Sequence, residues 1–243
     1  MEGIRGEIRY HESTVGHTTW RAGGPLRRWF KPADLDDLCL FLAQCEPDEP
    51  LLWLGLGSNL LVRDGGFAGT AIATYGGLAH MSLLPGNQVH AQAGVACNKL
   101  ARFGARNHLV GGAFFAGIPG TVGGALAMNA GAFGGETWQR VVAVETVDRQ
   151  GVVRSRQPDE FRVAYRKVTS DRDEFFVAAR FQFEAGDGEK ALSDIRALLE
   201  RRNRTQPTGL PSCGSVFRNP EGDHAARLIE ASGLKGKRIG DAA

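Results

Sequence analysis

The chain is built from short apolar runs separated by turn-forming residues, and only a few stretches carry a helical period. After the Gly23-Gly24 turn, Asp34 stands where a helix cap is expected, with Leu35, Leu38, Cys39 and Leu42 on one face behind it. Pro47 and Pro50 end that unit, and Leu51-Leu52-Trp53-Leu54 reads as a buried strand. Short strands are predicted around 71–75 and 89–93, then a helix over 98–107. A hairpin is predicted from 141–148 and 152–156, turning at Gln150-Gly151. In 175–183, Val177, Ala179, Phe181 and Phe183 alternate on one face, the pattern of a half-buried strand. The pattern changes after Gly186-Asp187-Gly188, where Ala191, Leu192, Ile195, Leu198 and Leu199 make an amphipathic helix ending at Arg201-Arg202. A Gly/Pro/Ser segment leads to a second helix, capped by Asp223 and stopped at Gly233. The expected layout is α+β, with one domain over 1–185 and the start of another over 186–243.

Residues 107–135 carry no formal charge over a length greater than the roughly 20 residues that span a bilayer. Nine glycines, Pro119 and Asn129 argue against a membrane span, because such a segment shields its backbone poorly from hydrocarbon. It reads instead as loops and turns buried inside a soluble protein. Charge adds little, since 29 basic and 27 acidic side chains leave a net +2, which argues against a nucleic-acid or acidic-membrane binder. Cys39, Cys45, Cys97 and Cys213 lie far apart, and no apolar signal core follows Met1, so a reducing cytoplasm is expected. The six histidines lack ligand spacing, and no metal is implied.

Of the 33 glycines, 19 fall between Gly55 and Gly135. Gly55-Leu56-Gly57-Ser58-Asn59 follows the 51–54 strand directly, where a nest of N–H groups could bind phosphate oxygens. Leu60 takes the place of a third glycine and no helical pattern follows, so this is not a Rossmann fingerprint. Alone, the loop reads as a tight turn before it reads as a phosphate site. The second cluster, Gly117-Ile118-Pro119-Gly120-Thr121-Val122-Gly123-Gly124, is more informative. Together the two loops could enclose a pyrophosphate, or their glycines could serve close strand packing; from the residues alone the two readings are even.

Six motifs in order carry a resemblance. They are Thr19-Trp20-Arg21-Ala22-Gly23-Gly24, the Gly55–Asn59 loop, the stretch from Ala116 to Ala125, Met128-Asn129-Ala130-Gly131-Ala132, Tyr165-Arg166 and the stretch from Pro211 to Pro220. From about His17 to Gly240 the chain resembles the UDP-N-acetylenolpyruvoylglucosamine reductase (UDP-N-acetylmuramate dehydrogenase) family. The resemblance implies an FAD-binding domain of the vanillyl-alcohol-oxidase (PCMH) type, with both glycine loops on the FAD pyrophosphate. The residues so implied are Gly55, Gly57, Ser58, Asn59 and Leu60, then Gly117, Ile118, Pro119, Gly120, Thr121, Gly123 and Gly124, with Asn129 and Gly131. It also implies NADPH as reductant, a UDP-sugar as substrate, and reduction of its enolpyruvyl ether to a lactyl ether for peptidoglycan.

Such chemistry needs a cation near the developing enolate and a placed proton donor. By resemblance, Ser215 is the proton donor and Arg166 pairs with the substrate carboxylate, which its fixed guanidinium fork suits. Taken alone, Ser215 reads as a turn serine and Arg166 as one side of a surface salt bridge within 162–172. Asn219 matches a UDP-sugar contact, Tyr165 is a substrate or core residue, and Arg202 and Arg204 meet the diphosphate or simply end a helix. Cys213 has no base partner, and His108 and His224 have no assignable role. The resemblance further implies a catalytic glutamate beyond the position of Gly240, which has no counterpart here; Glu230 falls in the wrong motif. Two alternatives follow: a flavin-binding fragment lacking full activity, and another flavin oxidoreductase of the same fold.

Overall fold

The computed structural model describes residues 1–206, 211–212 and 214–240. It divides into two compact units, Met1–Ser212 and Cys213–Ala243.

The first unit opens with a four-stranded sheet of β1 (Glu7–Ser13), β2 (Pro25–Lys31), β3 (Leu51–Leu54) and β4 (Phe67–Ala73), in the order β1-β2-β4-β3. β1 pairs antiparallel to β2, while β2 and β3 flank β4 in parallel. Parallel strands need crossovers: α1 (Leu35–Ala43) joins β2 to β3, and the segment 55–66, which holds the first glycine loop, joins β3 to its neighbour β4. The Asp34 carboxylate caps α1 by accepting from Asp37 N at 2.9 Å, as expected. Leu38, Phe41 and Leu42 form the buried face, and Phe41 stacks on Phe30 of β2 at 3.8 Å between ring centres. Each such side chain contributes about 1.5–3 kcal/mol by leaving water. The strand expected around 71–75 is the end of the longer β4, which runs through Gly69 because Pro50 O leaves no room there for a side chain.

A second, antiparallel sheet follows. It contains β5 (Met81–Leu84) and β6 (Gln88–Gln92); β7 (Leu109–Val110), β8 (Gly131–Ala132) and β9 (Gly135–Glu136) lie outside it. Its remaining strands are β10 (Val141–Asp148), β11 (Val153–Arg156) and, after the separate hairpin of β12 (Arg162–Ala164) and β13 (Lys167–Thr169), β14 (Glu174–Gln182). The order is β11-β10-β14-β6-β5. The β10–β11 turn is held by the Asp148 carboxylate, which accepts from Gln150 N and Val152 N. Val177, Ala179 and Phe181 are buried on alternate positions of β14, as their spacing predicts. The helix expected over 98–107 is α2 (Cys97–Arg106); its Leu100 and Ala101 join Phe115, Phe181 and Phe183 in the largest core.

The uncharged segment 107–135 is more regular than the expected loops and turns. It contains α3 (Val122–Met128), which buries Val122, Ala125 and Leu126 at helical spacing. Its glycines conceal that pattern because each disfavours a helix by about 1 kcal/mol. Gly123 is needed nonetheless, since a side-chain carbon there would lie 2.9 Å from the Ala93 methyl. After β15 (Glu184–Ala185), α4 (Gly188–Thr205) buries Ala191 and Ile195 in the same core as α2. The change of pattern at Gly186 therefore marks the end of the strands, whereas the compact unit continues to Ser212.

In the second unit, α5 (Ala225–Ala231) is the helix expected between Asp223 and Gly233. Asp223 accepts from His224 N at 2.7 Å, but the first helical N–H, of Ala225, is taken by Asn219 Oδ1 at 3.1 Å. Gly233 leaves the helix at φ +66°, a conformation glycine adopts freely. Among the described residues no helix is long and apolar enough to cross a membrane.

Candidate functional site

The two glycine loops, distant in sequence, meet in the first unit. β3 ends at Leu54, and a side-chain carbon on Gly55 would strike Thr121 Oγ1 at 2.4 Å. On Gly120 it would stand 3.6 Å from Ser58 Oγ. Thr121 is held at this junction by a bridge to Ala96 in which Cys97 N donates to Gly120 O and Val122 N to Val95 O. The first loop is seated from below. Gly57 adopts φ +63°, a side-chain carbon there would lie 1.9 Å from His17 O, and Gly57 O accepts from Thr19 N. Thr19 also pairs with Ser212, donating from Oγ1 to Ser212 O at 2.6 Å and accepting from Ser212 N at 3.1 Å. Three of the sequence motifs are thereby tied together. Thr19 stands in the first of the sequence motifs, but its link to Gly57, like the close approach of His17, runs through backbone atoms that no side-chain pattern reveals.

The pair of loops fits a phosphate-bearing cofactor on two observations. The backbone N–H groups of Ser58, Asn59, Gly120 and Thr121 donate to no acceptor among the described residues. Such groups in successive turn residues bind anionic oxygens. Gly120 and Gly124, unlike Gly57, are not demanded by protein neighbours, since nothing stands closer than 3.6 Å and 3.8 Å to their missing side chains. The bare positions leave room for a ligand to lie against the backbone.

Other sequence-selected residues have structural employment. Ile118 is buried and Pro119 is exposed, while Leu60 packs against the Leu26–Trp29–Leu54 core. On Gly117 a side-chain carbon would meet the Phe133 ring at 2.4 Å, and on Gly131 it would meet Gly135 O at 2.5 Å. Asn129 ends α3 at φ +41°; its Nδ2 donates to Glu136 Oε2 at 2.9 Å and its Oδ1 accepts from Trp138 N at 3.2 Å. Tyr165 and Arg166 form the two-residue turn between β12 and β13, with Arg166 at φ +53° and Tyr165 exposed. β13 packs against α3, and Phe161 beside this hairpin joins Trp138 and Phe176 in an aromatic trio. Arg166 thus precedes a strand that packs against α3. Arg202 and Arg204 lie in the last turn of α4, where Arg202 Nε donates to Gln206 Oε1 at 3.1 Å. Ser215 and Asn219 belong to the second unit, and Asn219 serves there as a cap to α5. Cys213 lies outside the described residues. Burial pushes the Cys97 thiol up to about 12 and the Cys45 thiol to about 11, so both stay protonated at neutral pH.

Comparison with known proteins decides the family. A family model described as "FAD binding domain" matches residues 27–156. A second, "UDP-N-acetylenolpyruvoylglucosamine reductase, C-terminal domain", matches 206–243. The UDP-N-acetylenolpyruvoylglucosamine reductase of Alkalilimnicola ehrlichii is 61% identical over 237 residues, covering 98% of this chain and 79% of that relative. The chain belongs to the UDP-N-acetylenolpyruvoylglucosamine reductase family. The crystal structure of the reductase from Thermus caldophilus matches with a TM-score of 0.82 at 31% identity, covering 98% of this chain and 83% of that one. The 6-hydroxy-D-nicotine oxidase of Arthrobacter nicotinovorans, 14% identical, covers 75% of this chain and 43% of its own length at a TM-score of 0.57, a likeness of fold alone. The expected α+β class with a PCMH-type FAD-binding domain is borne out by the family model and the reductase structure.

Proposed function

We propose that this protein reduces UDP-N-acetyl-enolpyruvoylglucosamine to UDP-N-acetylmuramate, a peptidoglycan precursor, using FAD and NADPH. Membership of the reductase family supports the reaction, and the meeting of the two glycine loops at Gly55 and Thr121 supports the cofactor. Bound FAD supplies hydride taken from NADPH. The residues Ser58, Asn59, Gly120 and Thr121 hold the pyrophosphate oxygens through backbone N–H groups, and Gly124 lets the cofactor approach α3. When hydride reaches the vinyl carbon, negative charge develops beside the substrate carboxylate. Arg166 stabilises that charge, and its left-handed position at a hairpin tip fixes where the side chain departs from the backbone. Ser215 delivers the proton to the carbon next to the carboxylate, a role suited to a weak acid only beside a strongly basic enolate. Tyr165, Asn219, Arg202 and Arg204 serve the UDP-sugar.

In this reading residues 1–185 serve the flavin and 186–243 begin the substrate-binding part. The partners are small molecules, not nucleic acid or membrane, and the site of action is the cytoplasm. Purified protein should be yellow, and beyond the one equivalent that reduces its flavin it should oxidise NADPH continuously only when the UDP-sugar is added. Colourless folded protein that takes up no FAD would overturn the assignment. Ser215→Ala should leave flavin reduction by NADPH intact and abolish turnover of substrate; normal turnover would remove Ser215 as proton donor.

A further inference from the structure

β8 and β9 close on the two-residue turn Phe133-Gly134, with φ +53° at Phe133 and +87° at Gly134. Two successive left-handed residues make the turn for which Asn-Gly is the favoured pair, and a bulky aromatic at the first position is a conformational outlier. Burial does not compensate, because Phe133 is 40% exposed. Its ring nevertheless has a fixed seat. The bare backbone of Gly117, at the head of the second glycine loop, lies so close that a side-chain carbon there would be 2.4 Å from Phe133 Cε2.

The turn is braced. Asn129 Nδ2 donates to Glu136 Oε2 at 2.9 Å, Glu136 N donates to Gln139 Oε1 at 3.2 Å, and Trp138 Nε1 donates to Leu126 O at 2.8 Å. Strain kept in place by a satisfied network, with the strained side chain left open to solvent, is the arrangement found where a conformation serves binding rather than stability. We infer that Phe133 presents its ring to a flat, aromatic ring system of a molecule bound along the second glycine loop. This rests on the flavin reading of that loop. The ring system is that of FAD or the uracil of the UDP-sugar, which share the same π-face chemistry.

Three variants test it: Phe133→Asn, which relieves the turn and removes the ring; Phe133→Leu, which keeps bulk and strain but removes the π-face; and Phe133→Tyr, which keeps the ring. The measurements are thermal melting of the FAD-free protein, the FAD dissociation constant from flavin fluorescence, and KM for the UDP-sugar. Phe133→Asn should melt at or above the wild type. In both ring-less variants one binding constant should weaken by about 5- to 100-fold, the range for loss of one stacked ring, while Phe133→Tyr stays near wild type. A weaker FAD constant assigns the ring to the cofactor, and a higher KM alone assigns it to the uracil. Unchanged constants in both ring-less variants, with wild-type protein binding FAD, would overturn the inference and leave the flavin assignment standing. Wild-type protein that binds no FAD would overturn both.

Discussion

In the first glycine loop a side-chain carbon on Gly57 would lie 1.9 Å from a backbone oxygen, and one on Gly55 2.4 Å from a threonine hydroxyl. In the second loop the same carbon on Gly120 or Gly124 would come no nearer than 3.6 Å or 3.8 Å to its surroundings. The residue type is the same and the cause differs. Gly55 and Gly57 are glycines because the protein fills the space; Gly120 and Gly124 are glycines although the protein leaves it empty. Composition alone merges the two kinds, and only the second kind leaves room beside the backbone for something other than the protein.

The largest effect should come from Gly57→Ala, which meets both a left-handed φ and the His17 carbonyl. We expect a loss of about 3–5 kcal/mol in chemical denaturation, with flavin binding lost as a consequence. Gly55→Ala should cost less, about 1–3 kcal/mol, because Thr121 is a side chain that can be trimmed. Gly55→Ala combined with Thr121→Ala, which removes the hydroxyl that would be struck, should recover part of that loss, and a double-mutant cycle showing no coupling would break the claim that these loops touch. Gly124→Ala reverses the sign. It lies inside α3 with open space, so the FAD-free protein should gain about 0.5–1 kcal/mol while FAD binding weakens on the order of tenfold. Equal destabilisation by Gly57→Ala and Gly124→Ala would erase the distinction between the loops.

The smallest effect concerns pH and separates frame from site. Neither glycine loop contains an ionisable side chain. In the frame, Arg156 holds the Glu174 carboxyl below the usual carboxylate range by donating to it at 2.6 Å and 3.0 Å, with Thr146 adding a third bond. A lowered carboxyl stabilises the fold above its unfolded-state value and loses that contribution as pH falls through the folded one. FAD release on acidification should therefore track unfolding rather than precede it. Melting temperatures of Glu174→Gln should fall less steeply with acid than those of the wild type.

The sequence was most legible where one face of an element is buried. α1, α2, β3, β10 and β14 carry their period openly, since Leu38, Leu100 and Phe181 have to reach a core. β12 and β13 escaped notice because Arg162–Ala164 is exposed throughout and offers no apolar face. β1 is similarly polar, and α3 is masked by its own glycines. At the site, the loops were visible as glycine clusters, but from residues alone packing and phosphate binding weighed equally. Space decides between them, and the space at Gly57 is occupied by the His17 carbonyl, a backbone atom that no side-chain pattern announces.

The seat of Thr121 on Gly55 has a kinetic consequence. It joins segments far apart along the chain, and contacts of that kind form only after the intervening strands have closed their loops. We therefore expect the contact between the two loops to be completed late in folding. FAD supplied during refolding should leave the folding rate unchanged and slow the unfolding rate, because it stabilises an arrangement absent from the transition state.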